Sequence, residues 1–193
     1  MAPFPPSVRI WFFQRALDDI YAAYEASAKA HSTRPDEIEK EVRSRLGIGP
    51  NDPFPERDDD DEFDLIGRLY DDAGELQEQA TRGSHLVRKA FLIALFHHWE
   101  RFVNSSLKRA KYGHPKSWLK QQGREDCAKS ILVLQKVANC AKHGPGNSCK
   151  ELYRMRPDLF PRVSTEKEAT ENRLVIDGVE LDKLFDAARK AAG

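Results

Sequence analysis

Apolar residues recur at helical spacing along most of this chain, and that periodicity limits it to folds built from amphipathic helices. From Val8 to Ala30 the stripe is Ile10, Phe13, Leu17, Ile20, Tyr21 and Tyr24. A longer stripe runs through Phe91, Leu92, Leu95, Phe96, Trp99, Phe102, Val103, Ser106 and Leu107. A helix with one apolar face must bury it against another element. Several such faces within 193 residues predict a mainly α helical bundle around one core.

Punctuation residues divide the pattern. Pro5 and Pro6 precede the first helix, and Ser7 suits its cap. A second helix is expected from Pro35 to Leu46, with Gly47 as its stop. Residues 49–62 then break the pattern with Pro50, Pro53, Pro55 and the acidic run Asp58 to Glu62. Such a run reads either as a metal-binding loop or as a solvated linker. The linker is preferred, because consecutive like charges repel and do not converge unaided on one ion. Helices are expected over Phe63–Arg82, from Ser84 to near Gly113-His114-Pro115, around Trp118-Leu119, over Arg124–Lys142 and over Ser148–Met155. Leu174 to Leu181 carries Asp177-Gly178 between β-prone residues, which predicts a small hairpin before a last helix, Leu181–Ala191. The segments are therefore N-terminal helices over 1–48, an acidic Pro-rich linker over 49–62, a helical core over 63–160, and a hairpin and helix over 161–193, together one compact domain.

Composition excludes some functions. The formal net charge is zero, whereas a dedicated DNA binder usually carries a basic surplus. No apolar run approaches bilayer length, so no membrane partner is expected. Met1-Ala2-Pro3-Phe4-Pro5-Pro6 lacks the pattern of a secretory signal, and Cys127, Cys140 and Cys149 are an odd, sparse set. Reduced, buried thiols in a cytoplasmic protein are the expectation.

Local structure and reactive side chains coincide most strongly at Val137 to Gly146, where an apolar helix runs into Asn139, Lys142 and His143 and stops on Gly144-Pro145-Gly146. At 100° per residue, Cys127, Ile131, Leu134, Ala138 and Ala141 share one face, and Leu132, Lys136, Asn139 and His143 the opposite one. Two readings of the terminus stand. Lys142 and His143 can be a plain C-terminal cap, with Gly144 left-handed and Pro145 forbidding continuation. Alternatively, a histidine at a helix end can place a general acid or base at the mouth of a cleft.

This segment resembles the signature of the HEPN superfamily (higher eukaryotes and prokaryotes nucleotide-binding domains). In these helical bundles a late helix carries Arg, usually followed by a polar residue such as Asn, and then His after four to six positions. Asn139 and His143 match the polar residue and the histidine, and the likeness covers roughly 64–160, including the long aromatic helix. The position before Asn139 holds Ala138 instead of Arg, and Lys136 is the best geometric substitute, without the bidentate fork of Arg.

The resemblance implies a metal-independent ribonuclease or RNA-binding protein, with no cofactor, of the kind found in toxin–antitoxin and phage-defence systems, and a homodimer that brings two motifs together. The implied roles are proton transfer for His143, orientation for Asn139, and charge stabilisation for Lys136 or Lys142. The alternative is a catalytically inactive helical interaction or regulatory partner of another protein.

Glu100, His98 and Arg101 on the aromatic helix are candidates to support the site, although a solvated face with an i,i+4 polar pair is the preferred account of them. Lys116, Lys120 and Arg124, interleaved with Tyr112 and Trp118, form a basic, aromatic cluster suited to RNA backbone and base, or a solvated helix-joining loop. Cys140, His143 and Cys149 lack the paired spacings of a zinc site, and no metal is expected.

Overall fold

The computed structural model describes residues 4–56, 65–106 and 115–193, the side chains of residues 106, 115, 116 and 118 excepted. Among the described residues seven α-helices follow one another: α1 Pro6–Ser32, α2 Arg34–Leu46, α3 Leu65–Ser106, α4 Pro115–Gln121, α5 Glu125–His143, α6 Asn147–Met155 and α7 Gly178–Ala192. Two 3-10 turns, Pro157–Leu159 and Glu166–Glu168, lie between α6 and α7. The mainly α fold expected from the periodicity is the one observed. No helix among the described residues is long and apolar enough to cross a membrane.

Two compact units emerge, one formed by residues 1–24 and 88–193 and the other by residues 25–87. In the larger unit the first half of α1 runs antiparallel to both α3 and α7. His98 bonds to the carbonyl of Phe13, and Arg9 to that of Ser105. Tyr21 donates to Asp182, and Arg189 pairs with Asp18. The core between these helices holds Leu17, Leu92, Leu95, Trp99, Leu134 and Phe185, all buried. Helix α5 packs against α4, α6 and α7.

In the smaller unit α2 buries Ile38 and Val42 and ends on a Schellman turn. Gly47 takes φ 67°, its amide bonds to Ser44, and that of Ile48 bonds to Arg43. The Arg43 guanidinium then stacks on Phe54 and binds the carbonyls of Gly49 and Asp52, fixing the chain beyond the turn.

Two expectations need correction. The hairpin at Leu174–Leu181 is absent, because Asp177-Gly178 opens a helix instead of turning a strand. The Asp177 carboxylate accepts the amide of Glu180, capping α7, while Leu174 and Ile176 point into the core from an extended segment. The break expected between Arg82 and Ser84 is also absent, for α3 runs unbroken through Gly83. A Cβ on Gly83 would stand 2.9 Å from the His31 ring, so this glycine gives close approach to α1 and not a helix stop.

Candidate functional site

Helix α5 buries Ala128, Ile131, Leu134, Val137, Ala138 and Cys140. Its core face is thus rotated slightly from the expected one: Cys127 and Ala141 are only half-buried, while Val137 and Cys140 are fully enclosed. Lys136 and Asn139 are half-buried on the other side, and Lys142 and His143 are exposed. Among the described residues, the side chains of Asn139, Lys142 and His143 have no hydrogen-bond or ion-pair partner. His143 therefore does not bond the orphan carbonyls of its own helix, as a side-chain cap would.

Chain reversal beyond His143 depends on Gly144, whose φ of 73° and ψ of −157° belong to a region open almost only to glycine. The reversal brings α6 back along α5 and sets Cys149 against Cys140, and the two are joined as a disulfide. The expectation of three reduced thiols is corrected here. Cysteines nine apart cannot meet within one helix, but a turn between them places both on facing helix surfaces. Cys127 remains free. Among the described residues no group of His, Cys, Asp and Glu could hold a metal ion.

Electrostatics around the corner are mostly settled within the protein. Lys136, the candidate to replace the missing arginine, is ion-paired with Glu151 of α6. Glu171 packs its carboxylate against Gly144, about 3.6 Å from where a Cβ would stand. Lys89 of α3 donates to the Glu171 carbonyl. Burial pulls the Lys89 ammonium below the usual lysine range, and the charge of Glu171 partly offsets that shift. Lys142 and His143 are both exposed at this corner, as are Pro145, Gly146 and Asn147 of the turn.

The supporting residues lie elsewhere. The corner sits at the level of Lys89, and Arg101 is twelve residues further along α3, about 18 Å away. No hydrogen bond or ion pair joins His98, Glu100 or Arg101 to His143 among the described residues. Glu100 instead lies beside His97, its Oε2 3.5 Å from the ring Nδ1. His98 bonds to the Phe13 carbonyl and stacks on the Phe13 ring.

The basic cluster is also remote. Arg124 stands at the opposite end of α5, 19 residues and about 28 Å from His143, with its guanidinium on the Ala191 carbonyl of α7. Lys120 is exposed on neighbouring α4. Tyr112 and the side chains of Lys116 and Trp118 lie outside the described residues.

A second constellation was not expected from sequence. Arg9 and Phe12 of α1 and His98, Arg101 and Ser105 of α3 line an open pocket of about 390 Å3 whose floor is Phe13 and Phe102. One sequence signal pointed there. Trp11 and Phe12 lie off the core stripe of α1, and the structure leaves them 57% and 52% exposed. Pairing Arg9 with Arg101 required knowing which helices become neighbours.

No family model, curated protein or solved structure matches this chain.

Proposed function

We propose that this chain is an HEPN-like RNA-binding protein whose helix-end His143 can act in metal-independent cleavage only when a second copy completes the site. The observation that carries this reading is the state of His143. It ends α5 in solvent, unbonded to its own helix, with Asn139 one turn earlier on the same side and Lys142 beside it.

Cleavage by the neighbouring 2′-hydroxyl forms an O2′–P bond and breaks the P–O5′ bond. One proton leaves the hydroxyl, another reaches the departing oxygen, and positive charge must meet the phosphorane. One exposed imidazole serves one of those transfers. Lys142 offers a free ammonium, while Lys136 is already neutralised by Glu151. A second copy would supply the other imidazole and a further Lys142. A toxin or defence role and a cytoplasmic setting accompany this reading, and in that compartment the Cys140–Cys149 bond is shielded from bulk thiols by complete burial.

The test incubates single-stranded RNA with the full chain in excess chelator, alongside His143→Ala and Lys142→Ala. Expected are retention of RNA by the parent chain, slow release of fragments ending in cyclic phosphate, and loss of the fragments in His143→Ala with binding retained. No binding, or cleavage that survives His143→Ala, overturns the proposal.

A further inference from the structure

The pocket at the far end of the larger unit has chemistry that the α5 terminus lacks: two guanidinium groups with no carboxylate beside them among the described residues. Arg9 spends Nε on the Phe4 carbonyl, 2.8 Å away, and NH1 on that of Ser105, 3.2 Å away. Both partners are neutral, so its charge stays uncompensated and its position fixed. Arg101 is exposed and has no partner among the described residues. No acidic side chain lines the pocket among the described residues. Two cations therefore line one pocket with no ion-pair partner among the described residues, and the guanidinium fork suits phosphate or carboxylate.

The rest of the pocket is planar and apolar. Phe12 forms an exposed wall, held by ring contacts with Trp11 at 4.9 Å and Phe4 at 5.9 Å. His98 donates Nε2–H to the Phe13 carbonyl when neutral, leaving Nδ1 as an acceptor at the floor. A braced aromatic wall beside paired arginines suits a flat heteroaromatic ring carrying an anionic tail. The volume, about 390 Å3, lies in the lower part of the usual range for small-ligand sites.

The geometry points to a binding site for a nucleoside monophosphate unit between α1 and α3, phosphate on Arg9 and Arg101 and base against Phe12. This site does not depend on the reading of His143. It is at the other end of the unit, because α7 ends where Arg124 meets Ala191 and where Gly193 packs against Ile10. The unit can arrive as a free nucleotide or as the phosphorylated end of an RNA strand.

Calorimetric titration of the full chain with adenosine 5′-monophosphate and its 3′ isomer, adenosine alone and inorganic phosphate tests the site. Saturable binding of a monophosphate is expected, with adenosine and phosphate each at least about tenfold weaker. Arg101→Ala, an exposed change that leaves the Arg9 bonds intact, should weaken the nucleotide about tenfold or more. Phe12→Ala should weaken the nucleotide and leave phosphate unchanged. His143→Ala should bind like the parent chain, which separates this site from the α5 terminus. Competition with oligoadenylates that do and do not carry a terminal phosphate identifies the source of the ligand. No saturable monophosphate binding, equal affinity for phosphate and nucleotide, indifference to Arg101→Ala, or loss in His143→Ala overturns the inference.

Discussion

Arg156 shows how much a single side chain decides in this fold. Its NH1 is 2.7 Å from Glu180 of α7, whose side chain is only 8% exposed, and its other nitrogens grip Asp158. Lys183 stands 3.7 Å from the same Glu180 but is largely solvated. Arg156→Ala therefore strands a buried carboxylate with one weak partner, and a loss of about 2–4 kcal/mol is expected from urea unfolding. The pair also sets a pH dependence. Hydrogen bonding to Arg156 holds the Asp158 carboxyl below the usual aspartate range. A depressed folded value stabilises the protein above the unfolded value, about pH 4, and that contribution vanishes as pH falls through the folded value. The gap between parent and Arg156→Ala should accordingly narrow between pH 6 and roughly pH 3. A constant gap would show that Asp158 takes no part. Nothing in the sequence tied Arg156 to Glu180, twenty-four residues on. Asp177 was legible as a special position and misread in kind, since turns and helix caps recruit aspartate through the same side-chain-to-backbone bond.

The α5–α6 corner is the element on which the candidate site depends. Its periodic helix, its stop and its exposed histidine were legible, because each is local. The disulfide was not, because three cysteines allow three pairings and only the direction of the reversal selects one. Two variants probe the corner. Gly144→Ala forces a Cβ into a backbone region that L-residues avoid and should cost about 1–3 kcal/mol. It should also impair any RNA cleavage more than it impairs RNA binding, since His143 is the adjacent residue. The Cys140–Cys149 bond closes a short loop, so Cys149→Ser should lower stability by about 2–3 kcal/mol in the chain-entropy picture. Thiol labelling of the unfolded, unreduced chain should find one reactive cysteine, Cys127. Finding three would refute the bond. The continuity of α3 escaped the sequence reading for a related reason. Glycine marks both helix stops and close helix contacts, and only the neighbouring His31 ring tells them apart.

Across the larger unit, the helix directions separate the charges. Helix α5 carries His143 at one end, and Arg124 lies about 28 Å away at the other, beside the end of α7 that also reaches α1 near Arg9. Within one chain, therefore, none of Arg9, Arg101 and Arg124 can meet a phosphate held at His143, and Lys136 is spent on Glu151. Among the described residues at the end of α5, a single copy presents the His143 imidazole and the free Lys142 ammonium to a reaction that needs two proton transfers and charge stabilisation. On the proposed reading, cleavage at His143 draws on a second chain, and its rate should depend on protein concentration. Specific activity should rise as dilute protein is concentrated and level off once the paired form is saturated. Adding excess His143→Ala chain should suppress any cleavage by the parent chain through mixed pairs with one His143 imidazole. Both follow from the distance between the two ends. Cleavage whose specific activity is flat over a hundredfold range of dilution, and which ignores the added variant, would mean that one chain assembles the whole site by a route this geometry does not offer.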